Sequence, residues 1–344
     1  MRLLHRRGSI AGIILAALVF AVISLAIAEA ARYAPAQLSI TLETDPITSF
    51  DDRDPSRTRF GGLEFRGGLV LSSNNEAFGG WSGFVMEPDG EHFIAVSDRG
   101  SWLRGRIVYR DGKLDHIVDA EIAPLLGADG APLAKKGWFD AEALAERDGI
   151  LFVGFERVEQ IARFDYRRDG LAARGAPIKV PADFKTFTYN KSIECVAAPP
   201  QSSALAGTLI VVTEHSLDAA GNHRGFLLKG DDATRFSVKR VGDFDVSDCA
   251  MLGDDTLLLL ERSFSLLGGL GMRIRRVPLA SIKSGAVVDG SPLIEADLGY
   301  QIDNMEGIGV HRNAQGETIL TLVSDDNFSV LQRTLLLQFA LVGE

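Results

Sequence analysis

The chain has 344 residues, 46% of them hydrophobic and 24% charged, with 36 Gly and 12 Pro. That composition excludes disorder, collagen and coiled coil, and fits one large globular domain or two ordinary ones. The net charge is −10; without Arg2, Arg6, Arg7 and Glu29, 33 basic residues face 45 acidic ones, or −12. So acidic a body offers no broad basic face to nucleic acid or an anionic membrane, and suits metal cations or a substrate approached through one.

The N-terminus carries Arg2, Arg6 and Arg7, then an apolar run over residues 10–28 that ends in Ala28-Glu29-Ala30. This pattern predicts an export signal cleaved after Ala30. An uncleaved anchor is the alternative, because the run is just long enough to span a bilayer. Either way, a 31–60 extension and a 61–344 domain are expected outside the cytoplasm, periplasmic or secreted.

Five segments downstream share one plan: an acid or Ser, a small residue, an apolar stretch, a turn, then an apolar strand ending in an acid. They begin at Ser82, Glu142, Glu194, Asp248 and Glu306, and end at Asp98, Glu156, Glu214, Glu261 and Asp325. In an antiparallel hairpin, paired positions sum to a constant and the turn sits at half that sum. The midpoints fall on Gly90, Gly149, Ala204 in the loop that begins with residues 199–203, Asp254-Asp255 and Gln315-Gly316, all turn regions. Each segment therefore reads as a hairpin whose marked residues face each other at the open end. Residues 141–146 would pass for a helix in isolation, but their alignment with four strand-like copies overrides that weak propensity.

Further strands at 160–166, 225–228 and 273–279 give four strands per repeat. The fold class is thus all-β, a β-propeller of five four-stranded blades, with a sixth around residues 37–70 left open. The last blade would take residues 334–342 and close the ring with residues 63–71. Cys195 and Cys249 fall on positions held elsewhere by Gly or Ala, so they are expected as buried thiols, although export would permit one disulfide.

A propeller gathers equivalent positions at one mouth of its channel. Asp98, Glu142, Glu156, Glu194, Glu214, Asp248, Glu261, Glu306 and Asp325 would meet there, and cannot all stay ionised without a counter-charge. Oxygen ligands favour Ca²⁺, with Mg²⁺ or Mn²⁺ as alternatives. Asn190, Asn304 and Asn327 could add neutral oxygens. The competing reading is an ion-pair rim in which Arg99, Arg157, Arg262 and Lys191 bind the acids. Arg273, Arg275 and Arg276 read as a solvated strand edge, with an anion site as the alternative. No P-loop or His-Glu-x-x-His motif is present, and Ser82 lacks the setting of a nucleophile elbow.

Gly79-Gly80-Trp81-Ser82-Gly83, Ser97-Asp98-Arg99-Gly100, Asp140-Ala141-Glu142, Phe155-Glu156-Arg157, Asn190-Lys191-Ser192-Ile193-Glu194, Leu260-Glu261-Arg262-Ser263, Asp303-Asn304-Met305-Glu306-Gly307 and Ser324-Asp325-Asp326-Asn327-Phe328 occur in that order. Over residues 60–340 the chain resembles the phytase-like family, exported bacterial propellers described by an esterase-like activity of phytase. Trp81 and the Glu214-His215 ending depart from the pattern. The Asn/Glu motifs are also similar to those of metal-dependent lactonase propellers. The phytase-like resemblance implies an exported hydrolase of phosphate or carboxylate esters, and both resemblances imply a metal; a monomer acting on a small-molecule ester is expected. Glu142, Glu194 and Glu306 are the first candidate ligands, with Asp98, Asp325 and Asn304 beside them; Glu156, His215 and Glu261 are the catalytic candidates. Lactonase or aryl-esterase action, and a non-catalytic propeller binding a cell-envelope partner, are the alternatives.

Overall fold

The computed structural model describes residues 37–265 and 269–343. The export signal or anchor expected over residues 1–30 lies outside them, and among the described residues no helix is long and apolar enough to cross a membrane. Five antiparallel-rich sheets form a five-bladed β-propeller. Counted from the channel outward, blade 1 is Trp81–Met86, His92–Ser97, Ser101–Arg110 and Lys113–Pro124. The inner hairpins of the other blades are Ala141–Arg147 with Ile150–Phe155, Ile193–Ala197 with Leu209–Leu217, Asp245–Leu252 with Thr256–Ser265, and Asn304–Arg312 with Thr318–Asp325. Residues 141–147 are a strand, as their place in the repeat requires.

Leu63–Ser72 pairs with the C-terminal strand Thr334–Leu341 and completes blade 5. Joining the two ends of the chain in one sheet closes the ring. Residues 38–47 make no sixth blade: Leu38–Ser39 edges blade 1, and Glu43–Ile47 edges blade 5.

The core lies at the seams between blades, one apolar cluster to each of the five seams. Successive strand residues face opposite sides, so a strand between two blades must be apolar on both. In Leu257-Leu258-Leu259-Leu260, Leu258 and Leu260 pack toward blade 5, while Leu257 and Leu259 pack toward blade 3.

All five inner hairpins carry a β-bulge at the same place. Ala141 pairs with Phe155 and Ala143 with Gly154, so Glu142 is the extra residue. Register shifts likewise leave Glu194, Ser247 and Glu306 unopposed, and one falls at Ser82-Gly83 in blade 1. The marked residues therefore do not face each other as the midpoint rule predicts. A bulge leaves its extra residue out of the ladder and re-aims its side chain, here at the channel mouth.

The bulge also corrects the alignment of blade 4. Its extra residue is Ser247, so Asp248 takes the tight inter-blade position held elsewhere by Gly83, Ala143, Cys195 and Gly307. Its Oδ2 accepts a hydrogen bond from Ile308 N of blade 5 at 2.8 Å. Inner strands approach closely there: a Cβ on Gly83 would stand 2.6 Å from Leu144 N. The same closeness overturns the expectation of two free thiols. Cys195 and Cys249, on the inner strands of blades 3 and 4, have Cα atoms 5.1 Å apart and form a disulfide.

Candidate metal centre

Two five-membered tiers surround one mouth of the channel. The bulge residues Ser82, Glu142, Glu194, Ser247 and Glu306 form the lower. Above them stand Asp98, Glu156, Glu214, Arg262 and Asp325, each paired across its hairpin with Gly80, Asp140, Ser192, Asp245 or Asn304. Blade 4 thus places a cation where every other blade places a carboxylate.

The tiers bring together Asp98, Glu142, Glu156, Glu194, Glu214, Glu306 and Asp325. Burial pushes the carboxyl groups of Asp98, Glu142, Glu156, Glu194, Glu306 and Asp325 up, and mutual repulsion adds to it. Asp98 rises to about 6 through burial, with Asp140 and Asp326 contributing. Asp325 rises to about 7 through burial and Asp98. Glu142 and Glu194 go well above the ordinary range, through burial and then through Glu306 for the first and Glu142 for the second. Burial also raises Glu156 and Glu306.

Two cations reach into this group. Lys191 Nζ lies 2.8 Å and Arg262 Nη2 3.1 Å from the same oxygen, Glu214 Oε1. Arg262 Nε is 3.2 Å from Glu306 Oε1, and its Nη1 donates to Asn304 Oδ1 at 3.0 Å. Asn304 Nδ2 donates in turn to Glu306 Oε1 at 2.9 Å. Two charges against seven leave a surplus of carboxylates.

Carboxylate oxygens of Glu156, Glu194 and Glu214 lie within 4.8 Å of one another, and all three residues are buried. Glu214 has its two cations, and Glu156 accepts the Ser192 N–H. Glu194 Oε2 is buried with no hydrogen-bond partner among the described residues. Three buried acidic residues at this spacing could hold a metal ion, and Glu194 keeps one oxygen without a partner. Glu142 and Glu306 adjoin this trio, Glu306 being engaged by Arg262. Of the asparagines, Asn304 is buried within the site, while Asn190 and Asn327 are exposed on the loops above.

His215 stands half-exposed beside the mouth. Its Nδ1 is 2.8 Å from Asp245 Oδ1, and Arg240 Nε holds the same oxygen at 2.7 Å. Asp245 escaped the sequence reading because it opens blade 4, facing Arg262, outside the motif that was aligned. Ser82 sits buried in the lower tier, and a hydrogen bond from it to Glu142 opposes the rise of that carboxyl.

Glu261 is not part of this group. It pairs with Val246, one position below the tier, and is fully buried. Arg273 Nε and Arg275 Nε donate to its Oε2 at 2.7 and 2.9 Å. Neither arginine is a solvated edge or a free anion receiver; both are buried and spent on Glu261. A cavity of about 590 Å³ opens at the other end of the channel, lined by residues such as Leu144, Val196, Met251 and Ile308, and by none of the tier acids.

The family described as phytase-like, esterase-like activity of phytase, matches residues 76–328, which include every tier residue. The chain belongs to this phytase-like family. No curated protein matches it. Among solved structures, the PQQ-bound aldose sugar dehydrogenase of Streptomyces coelicolor is 12% identical, covering 89% of this chain and 100% of its own, with a TM-score of 0.40. The glutaminyl cyclase of Myxococcus xanthus is 10% identical, covering 77% of this chain and 92% of its own, with a TM-score of 0.39. Likeness that low says nothing of the chemistry of this phytase-like site.

Proposed function

We propose that this phytase-like propeller is a metal-dependent ester hydrolase, working outside the cytoplasm, with a divalent cation held by Glu156, Glu194 and Glu214. The observation that carries the reading is Glu194, whose buried Oε2 is orphaned and one of whose oxygens lies within 4.8 Å of oxygens from two further buried glutamates. The Cys195–Cys249 disulfide supports an oxidising compartment.

A bound divalent cation supplies Lewis-acid polarisation of an ester oxygen and a lowered pKa for an attacking water. The chain's own groups do the rest. Asp245 holds His215 through Nδ1, so the imidazole presents Nε2 as proton acceptor for the attacking water and donor to the leaving alcohol. Arg262 is ion-paired on both sides and holds Glu214 and Glu306 in place. Asn304 orients Glu306 through its Nδ2.

The test is turnover of phosphate, carboxylate and lactone esters with Ca²⁺, Mg²⁺ or Mn²⁺ added. Glu194→Gln should abolish turnover and remove the protection that the ion gives against heat. That protection amounts to about 2.7 kcal/mol at a hundredfold excess over Kd. Glu76→Gln, outside the tiers, should change neither. A chain that turns over no ester with any of these ions, and whose melting ignores chelator and calcium alike, sinks the proposal. Asp245→Asn should lower kcat and shift the pH profile with little change in ion affinity.

A further inference from the structure

The residues directly after the upper tier are Arg99, Arg157, His215, Ser263 and Asp326. Arg99 and Arg157 belong to neighbouring blades and are exposed. In the competing ion-pair rim they would bind the acids; instead their guanidiniums lie over aromatic rings. Arg99 lies over the ring of Phe328, 3.1 Å from its centroid. Arg157 lies 4.6 Å from the ring of Phe139 and 5.1 Å from that of Tyr189. Among the described residues Arg99 makes no ion pair, and its Nη1 donates to Glu76 O at 3.4 Å. Arg157 has one long pair, 3.7 Å from Asp140 Oδ2.

Next to an ungrouped set of carboxylates, a free guanidinium would collapse onto the nearest acid. Stacking prevents this by fixing the plane of each guanidinium against an aromatic face. It leaves the in-plane N–H edges, the groups that bind oxyanions, largely uncommitted. The two arginines are tied through the backbone as well: Asp140 N bonds to Asp98 O, and Arg99 and Arg157 adjoin these two residues. Phe328 packs close to Gly80 and Asp98, where a Cβ on Gly80 would stand 2.5 Å from its ring. The stack is therefore seated directly on the acidic mouth.

We propose that Arg99 and Arg157 form an anion-binding subsite at the rim of the acidic mouth, which receives an oxyanion group, phosphate or carboxylate, of the substrate. Naming that anion as part of a substrate rests on the hydrolase reading; the subsite itself does not. The field of the tier acids repels anions at a distance. A substrate carrying such a group needs local cations to dock, and these two are held in position for it before it arrives.

Calorimetric titration of phenyl phosphate into the purified chain, with and without Mg²⁺, tests this, with phenol as the neutral comparator. Joint Arg99→Gln and Arg157→Gln substitution should weaken phenyl phosphate binding at least about tenfold, in line with the loss of charge-assisted hydrogen bonds. Arg157→Lys should recover little of the loss, because an ammonium lacks the planar fork. Tyr189→Ala, which keeps both charges but frees Arg157, should weaken binding by less than the arginine variants do. The subsite is overturned if the chain binds no phenyl phosphate, or if the double variant binds it as tightly as the parent. It is also overturned if binding needs Mg²⁺ and Glu194 but neither arginine. Arginine-dependent binding without turnover of any ester would instead sink the hydrolase reading and leave the subsite standing.

Discussion

Arg262 Nη2 lies 3.1 Å from Glu214 Oε1, so a guanidinium from blade 4 neutralises a carboxylate from blade 3 inside the channel. The same side chain touches Glu306 of blade 5. Burial by itself would lower its pKa, but Glu306 and Glu214 raise it, and it stays charged. Arg262→Gln should therefore destabilise the ion-free chain at pH 8 by about 3–5 kcal/mol, the usual cost of orphaning a buried charge. At pH 5 the loss should shrink, because the Glu306 carboxyl it serves, raised to about 8 by burial, is then protonated. Urea unfolding at the two pH values measures both.

The raised carboxyls set the pH dependence of the ion-free chain. Asp98 and Asp325 keep their protons to about 6 and about 7, whereas unfolded aspartates lose theirs near 4. The folded chain thus binds more protons between roughly pH 4 and pH 7, and its stability must fall as pH rises through that window. Cation binding expels those protons, so calcium affinity should rise over the same range. Melting curves taken in chelator from pH 5 to pH 8 should move down, and added Ca²⁺ should flatten the trend. A chelated chain that grows more stable toward pH 8 would contradict the site as described.

Glu261 separates structural from channel acids. Glu261→Gln leaves Arg273 and Arg275 without their shared carboxylate and should destabilise by about 3–5 kcal/mol. It should leave the midpoint of a calcium titration unchanged, unlike Glu194→Gln. Equal loss of calcium affinity in the two variants would place Glu261 back in the site.

The Cys195–Cys249 bond closes a loop 54 residues in span between adjacent blades. Chain-entropy reasoning assigns such a crosslink about 4 kcal/mol. Double Cys→Ala substitution, or a reductant, should lower the melting temperature by the corresponding amount in chelator. Unchanged melting on confirmed reduction would argue against that contribution.

The repeat was legible because seams between blades demand it. Strands apolar on both faces, turns at each hairpin midpoint and small residues where inner strands meet all leave marks in residue type, and so does the N-terminal strand that closes the ring. Register left a weaker mark. Asp248-Cys249 looks like Glu194-Cys195, and Glu261-Arg262 like Glu156-Arg157, so matching residue types set blade 4 one position out. A bulge is a backbone event that inserts one residue without any compulsory residue type. That is why the place of Arg262 in the ring of carboxylates, Asp245 and the role of Glu261 escaped the sequence.

Composition and periodicity thus specified an all-β ring with acids gathered at one mouth, because burial and turn chemistry act on each strand locally. Which acids meet, which are claimed by arginines and which cysteines bond depends on distances between blades. Those distances are set by five seams packing at once, and a single strand's sequence carries no record of them.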